Sequence, residues 1–246
     1  MNDQKKNTFN DIGIASELDW PRIRKLLCIG FIAACMVLVG DVLLGWGKAD
    51  ESLTGLDQYF SRYLTVSDSH IFWSAILGLI GIPLESLCYF GVYRLIASRS
   101  RRYAHLYRSG LLGMLAFGGF THVVCCATIY HFNAIYRLAP ASATAEATKF
   151  ALYYLLPVMA IFFPFFLLAA VIQILAFAKG LTPYPRWCAV FSIISGVAVI
   201  VVMKFVGNHP VAYALSTGWI SLGGMWTFGG LLVMVKHVSC GGNNHK

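Results

Sequence analysis

Three ionisable residues lie inside long apolar stretches of the chain, where a charged side chain needs a reason. Asp41 is close to the end of the first stretch, Glu85 is near the middle of the second, and His122 is near the middle of the third. A charge in the hydrocarbon of a membrane costs about 3 kcal/mol on insertion scales, so such residues are expected to face a bundle interior or a cavity. Carboxylate and imidazole groups can bind polar ligands, exchange protons near neutral pH or ligate zinc.

Small residues surround Glu85 and His122 on their expected helix faces. Successive steps of three and four residues lead from Glu85 to Gly81 and Gly78. The same steps lead from His122 to Gly119 and Gly118. Glycines let membrane helices approach closely, so both faces are predicted to lie in the bundle interior. A Glu85–His122 pair would be a proton carrier, and a purely structural pair is an equally weighted alternative. Tyr89, one turn beyond Glu85, is a further candidate contact.

Asp41 and Lys204 lie at similar depth near the outer surface and are predicted to form a second pair. The favoured interpretation is an ion pair that joins two helices, with a role in ligand binding as the alternative. For a metal, the candidate ligands are His122 and Glu85. The nine-residue separation of His122 and His131 places them on different helix faces, so the sequence has no local metal-binding signature.

The composition identifies the class of protein that must hold these side chains. Of the 246 residues, 58% are hydrophobic and only 12% are charged. Soluble domains are about 25% charged, so the sequence predicts an all-α, polytopic membrane bundle whose main partner is the lipid bilayer. The net charge of +8 comes from basic residues between apolar segments, a pattern typical of membrane topology, and predicts no nucleic-acid binding.

Six segments are long and apolar enough to cross a membrane as helices. They are residues 26–46, 71–97, 109–132, 151–178, 186–206 and 211–235. Pro157 and Pro164 predict a kink in the fourth segment, and Gly81 with Pro83 predicts the same for the second. The phosphate-binding, zinc-protease and nucleophile-elbow motifs of common enzyme classes are absent from the sequence.

The distribution of basic residues predicts the orientation of the bundle. With both termini in the cytoplasm, 14 Lys and Arg residues lie on the inner side and 5 on the outer side. This asymmetry satisfies the positive-inside rule and favours a multi-pass protein of the cytoplasmic membrane. The predicted organisation is a cytoplasmic N-terminal segment over 1–25, a six-helix transmembrane domain over 26–236 and a cytoplasmic tail over 237–246.

Three stretches resemble a known family. They are Gly40-Asp41 with Leu43-Leu44-Gly45, the run GIPLESLCYFGVYRL from Gly81 to Leu95, and Thr121-His122. The chain resembles an uncharacterised family of bacterial six-span membrane proteins, a domain of unknown function similar to DUF6796. The resemblance implies a six-helix membrane fold and no activity. It singles out Asp41, Pro83, Glu85 and His122.

Three functions remain open at this stage. The leading hypothesis is a carrier or binding protein for a small solute or a lipid-like ligand, with an outward-facing polar pocket. A membrane-embedded enzyme, metal-dependent or not, is the second hypothesis, and a structural or accessory subunit is the third. The sequence leaves the cofactor and the oligomeric state open.

Overall fold

The computed structural model describes residues 18–241, which form helices and turns with no β-strand among them. The α-helices are α1 (Trp20–Gly45), α2 (Gly55–Ser61), α3 (Asp68–Cys88), α4 (Phe90–Ala97), α5 (Arg101–Leu138), α6 (Pro140–Phe150), α7 (Leu156–Ala178), α8 (Val197–Val206), α9 (Pro210–Thr217) and α10 (Trp219–Gly241). A π-helical turn, Ala151–Leu155, joins α6 to α7, and 3-10 turns occupy Arg186–Val190 and Ile193–Gly196. The all-α fold class is as predicted.

Local sequence signals set the starts of the long helices. The Asp19 carboxylate accepts a hydrogen bond of 3.0 Å from the backbone N–H of Arg22, and Pro21 occupies the first turn of α1. The Ser67 hydroxyl accepts a hydrogen bond of 3.2 Å from the backbone N–H of His70 at the start of α3. Such caps satisfy N–H groups that the helix itself leaves unpaired.

Among residues 18–241, four helical stretches are long and apolar enough to cross a membrane. They are α1, α3 with α4 (30 residues), α5 (38 residues), and α6 with α7 (39 residues). A fifth candidate is α9 with the apolar part of α10, two helices that meet at an angle of 63°. The helices are therefore compatible with a membrane protein of four or five full helical spans, and the predicted count of six is not confirmed.

The segment predicted as the fifth span is broken. Residues 186–206 form two 3-10 turns followed by α8, and the apolar helical part, Ile193–Val206, is shorter than a full span. The path of this segment is nevertheless extended. Just before it, the Tyr184 hydroxyl donates a hydrogen bond of 3.1 Å to the Leu231 carbonyl in the later part of α10. Just after it, the Asn208 side chain donates a hydrogen bond of 2.9 Å to the Ala49 carbonyl, beyond the end of α1.

Close packing at glycines arranges the helices around one interior. α1 packs against α3, where Gly40 lies against the Ser74 carbonyl, and against α10, where Gly30 faces the ring of Phe228. α5 packs between α3 and α7. The rings of Phe166 on α7 and Trp219 on α10, with centres 5.8 Å apart, bring the last helix against α7. The bundle therefore closes around an interior that side chains from α1, α3, α5, α7 and α10 share.

A π-helical turn, Ala151–Leu155, interrupts the regular helix of the fourth segment and ends two residues before Pro157. Proline has no N–H to donate and disturbs the regular helical pattern just before it. Pro83 lies within α3, which ends at Cys88, where a turn at Tyr89 leads into α4.

The domain boundaries can be compared only in part. Residues 1–17 and 242–246, which include most of the predicted terminal segments, lie outside the described residues. α1 already begins at Trp20, and α10 continues to Gly241. Residues 20–25 and 237–241 therefore extend the helices.

Candidate functional site

Asp41 is a buried carboxylate with two partners from other helices. The Asp41 residue as a whole is only 7% exposed to solvent. The Ser221 hydroxyl on α10 donates a hydrogen bond of 2.5 Å to Oδ2, and Nδ1 of His122 on α5 lies 3.7 Å from Oδ1. The carboxylate thus connects the first, third and last long helices of the bundle.

The other ring nitrogen of His122 determines what the pair can do. Nε2 lies 3.0 Å from the Ser74 carbonyl oxygen on α3, which can only accept a hydrogen bond, so Nε2 carries a hydrogen. In a neutral ring Nδ1 is then an acceptor facing Asp41. One additional proton can therefore reside on either Asp41 or His122, and the arrangement is a site that can hold and release a proton.

The His122 ring fits against α3 because Gly78 has no side chain. A Cβ atom at Gly78 would collide with Cδ2 of the imidazole. The Ser74 hydroxyl, one turn earlier on α3, lies 3.3 Å from Nε2 of the same ring. Gly78 and Ser74 together therefore form the surface that orients His122 towards Asp41.

Glu85 is also buried, and part of its carboxylate has no partner. The residue is 5% exposed, and Oε1 makes no hydrogen bond. Gly224 on α10 leaves the room for this oxygen, since a Cβ atom there would collide with it. Buried polar atoms are nearly always hydrogen-bonded, so this oxygen is available to a proton, a water molecule or a ligand. Tyr89 is 1% exposed, and its hydroxyl lies close to the Glu85 carboxyl group and to the side chain of Thr227.

The polar side chains share an interior cavity of about 220 Å³. Its polar lining consists of Asp41, Glu85, Ser86, Thr121, His122, Thr217 and Ser221. Most of the remaining lining is apolar and comes from α1, α3, α5, α7 and α10. A mostly apolar cavity with a few converging polar groups is typical of a ligand site.

A second, larger pocket of about 570 Å³ adjoins this cavity. The residues that line both are Leu44, Cys125, Met159, Thr217 and Trp219. On its outer rim, Leu152 and Leu156 are 55% and 54% exposed. We refer to the two as the inner cavity, which holds Asp41, Glu85 and His122, and the outer pocket, which lies beside it.

Hydrogen bonds order the loop that follows α1, near the outer pocket. The Ser52 hydroxyl donates to Oδ1 of Asp50 at 2.7 Å, and its backbone N–H donates to the same atom at 2.9 Å. These bonds stabilise the ionised carboxylate and lower the pKa of Asp50 below its ordinary value. The backbone N–H of Asp50 donates to the Ser61 hydroxyl at 2.8 Å, which fixes the loop to the end of α2.

A family model covers nearly the whole chain. The match extends over residues 1–238 to a family of unknown function, DUF6796. The chain belongs to the DUF6796 family. This confirms the resemblance expected from the sequence, and it assigns no activity. No curated protein and no solved structure matches the chain.

The pairs expected from the sequence differ from those in this DUF6796 protein. Asp41 contacts His122 and Ser221, whereas Lys204 is exposed on α8 and takes part in no ion pair within residues 18–241. The predicted Asp41–Lys204 pair is therefore wrong. Glu85 and His122 line the same cavity without bonding to each other. Sequence alone does not give the rotation of each helix about its axis, and this rotation selects the nearest neighbours of each side chain.

The donor set of this DUF6796 protein does not resemble a metal centre. Within the described part of the chain, no three His, Cys, Asp or Glu side chains converge closely enough to hold a metal ion. The proposed metal ligands His122 and Glu85 line the inner cavity together with Asp41, but the three side chains do not converge on one point. The geometry gives the metal-dependent alternative no support.

Sequence analysis did not select three residues that matter in the structure. Ser74 and Ser221 are common small residues in apolar helices, and nothing in the local sequence distinguishes them. Arg62 was counted only as an outer-side charge, although Tyr59 and Tyr63 lie at the helical spacing of three and at the next position. These aromatic neighbours of an arginine are the feature of the sequence that points to the outer pocket.

Proposed function

We propose that this DUF6796 protein is a multi-pass protein of the cytoplasmic membrane that binds, and as a carrier moves, a small or lipid-like ligand. The observation that carries the proposal is that the outer pocket adjoins the inner cavity. Five residues line both spaces, and the inner one holds two buried carboxyl groups and an imidazole. The combined space is of the size that small-molecule sites have in proteins.

Within this proposal, Asp41, Glu85 and His122 are the polar contacts and the proton-exchanging groups. The unpartnered Oε1 of Glu85 supports a ligand contact, because a buried oxygen without a hydrogen bond is costly unless something occupies it. Tyr89, four residues after Glu85, places its hydroxyl beside the Glu85 carboxyl group. Lys204 has no place in the proposed site, since it lies outside the lining of both spaces.

A blocked passage should abolish ligand retention. Met159 lines both spaces, so Met159→Trp is expected to fill the passage between them. Native mass spectrometry and lipid analysis of the purified full chain should detect a bound molecule in the wild type and at least a tenfold smaller amount in this variant. Ala160→Trp is the matched control, because Ala160 is exposed and lines neither space.

Two outcomes of this experiment would contradict the proposal. Equal retention in Met159→Trp and Ala160→Trp, or a wild type without any bound molecule, would contradict a ligand-binding function. In that case the accessory-subunit hypothesis becomes the better one, with Asp41 and His122 holding helices together. Thermal unfolding of each variant in detergent shows whether a loss of ligand arises from a loss of fold.

We further propose six crossings of the membrane with both termini in the cytoplasm. The hydrogen bonds at Tyr184 and Asn208 support a path of residues 186–206 from the inner end of the bundle to the outer end. The 14-to-5 distribution of Lys and Arg supports the same orientation. On this proposal the fifth crossing is broken into 3-10 turns and α8.

Reporter fusions test the number of crossings. A fluorescent protein fused to either terminus is expected to fluoresce, whereas alkaline phosphatase at the same positions should be inactive, because both termini are cytoplasmic. Five crossings would place the termini on opposite sides. A phosphatase that is active at one terminus and inactive at the other would therefore refute this topology.

A further inference from the structure

The outer pocket contains one charged side chain, Arg62, which follows the last residue of α2. Its guanidinium carbon lies 4.2 Å from the ring centre of Tyr59, 4.6 Å from that of Tyr63 and 5.0 Å from that of Tyr213. It also donates a hydrogen bond to the Tyr63 hydroxyl. Three aromatic rings thus hold the cation in place without neutralising it.

Among the described residues, no carboxylate forms an ion pair with this arginine. Arg62 takes part in none of the ion pairs Asp41–His122, Asp68–Arg137 and Glu146–Lys149. Its Nε–H is buried and donates no hydrogen bond. A partly buried guanidinium without a counter-ion is energetically costly, and a bound anion would remove that cost.

Arg62 lies at the ends of the long helices, the level of a membrane interface. Gly47, two residues beyond α1, packs directly against the Arg62 carbonyl. The Asn133 side chain, in the last turns of α5, donates a hydrogen bond of 3.0 Å to the carbonyl of the adjacent Tyr63. A charged group held at Arg62 would therefore remain at the interface while the rest of the ligand enters the bundle.

The remainder of the pocket is suited to an apolar chain. Among the residues that line it, Arg62 alone is charged, and the far wall includes Leu152, Leu155 and Leu156. This wall lies along the π-helical turn and the start of α7, and its exposed rim opens towards the side of the bundle. An apolar opening on that side admits a molecule from the hydrocarbon.

We propose that the outer pocket binds an amphiphile with an anionic head, a carboxylate or a phosphate, on Arg62 and an apolar tail along the π-helical turn. The inference rests on the proposed function, because it names the ligand class of the same pocket. Fatty acids and anionic phospholipids share this chemistry. Charge complementarity with Arg62 selects an anion over a neutral lipid of the same tail.

Radiolabelled oleate provides the test, with the delipidated full chain in a nonionic detergent. Saturable binding is expected in the wild type, at least tenfold weaker binding in Arg62→Gln, and a smaller loss in Arg62→Lys. Arg137→Gln is the matched control, since it removes a charge at the same end of the bundle that already pairs with Asp68, and it should change the affinity less than twofold.

Competition by unlabelled molecules shows which head group is recognised and whether the ligand is a fatty acid or a phospholipid. Oleyl alcohol, which has the same tail, should compete at least tenfold less well than oleate. Stronger competition by dioleoylphosphatidylglycerol than by oleate identifies a phospholipid, and the reverse identifies a fatty acid. Both results support the anionic amphiphile.

Other outcomes overturn the inference. Equal competition by oleyl alcohol and oleate would show that the charge is not recognised, and unchanged oleate affinity in Arg62→Gln would show that Arg62 is not the contact. If oleate and phosphatidylglycerol do not bind while Met159→Trp still loses a co-purified molecule, this inference fails and the proposed function stands. If both experiments show no ligand, both fail.

Discussion

Replacing Gly223 with alanine is expected to destabilise the bundle by about 1–3 kcal/mol or more, because the new methyl group would collide with backbone. Gly223 on α10 lies directly against the Ile193 carbonyl, and Gly196 lies against the Trp219 carbonyl in return. A carbonyl in such a contact cannot rotate away as a side chain can. This collision is expected to outweigh the roughly 1 kcal/mol by which alanine stabilises a helix interior relative to glycine.

Thermal unfolding in detergent measures this effect. Gly229→Ala is the control on the same helix, since a Cβ atom added there would lie 3.3 Å from the ring of Phe31, which can shift slightly. We expect a clear drop in the unfolding midpoint for Gly223→Ala and little change for Gly229→Ala. A Gly223→Ala protein as stable as the wild type would show that the broken segment is not packed on α10 in this way.

The second large effect is expected at Gly78, and it should depend on His122. In the wild type, Gly78→Ala would push the imidazole away from Ser74 and Asp41, with a cost of about 1–3 kcal/mol. In a His122→Ala background the space is empty, so the same substitution should be neutral or stabilising by up to about 1 kcal/mol. The sign of the effect would thus reverse between the two backgrounds.

A double-mutant cycle on unfolding free energies tests this dependence. The coupling between the two positions should lie within the range of roughly 0.5–3 kcal/mol found for residues in contact. Gly91→Ala serves as the control, because a Cβ atom added there would lie 3.3 Å from the Leu26 side chain, with no collision. An equal cost of Gly78→Ala in both backgrounds would contradict the observed contact.

The long helices were predictable because apolar length alone specifies them. The predicted segments 26–46 and 71–97 correspond to Trp20–Gly45 and Asp68–Ala97. The helix that corresponds to the third predicted segment, 109–132, is longer and extends from Arg101 to Leu138. Hydrophobicity marks only the part of a helix that lies in the membrane core, because the turns that continue the helix on either side are polar. Hydropathy thus locates spans better than it locates helix ends.

The fifth and sixth segments show where hydropathy fails. Residues 186–206 are as apolar as a regular span, but backbone contacts at Gly196 and Gly223 hold them in an irregular path. The sixth segment bends at Gly218, between α9 and α10. Tertiary packing determines these interruptions, and no pattern within one segment encodes them.

The candidate site was predictable as a set of residues but not as a set of contacts. The cost of a charge in hydrocarbon identified Asp41, Glu85 and His122, and all three line the inner cavity. The partners Ser221 and Ser74 could not be inferred, because serine is inexpensive in a helix and frequent in any span. Pairing depends on how the helices rotate against each other.

The partners of Asp41 also bear on how the chain is made. Ser221 follows Asp41 by 180 residues. At a synthesis rate of roughly 5–20 residues per second, the ribosome needs about 10 to 40 seconds to deliver that hydroxyl after Asp41 has been made. Until then the first helix carries an incompletely satisfied carboxyl group, and a chain truncated before α10 carries it permanently. Assembly of the last helix therefore completes the hydrogen bonding of a carboxyl group in the first.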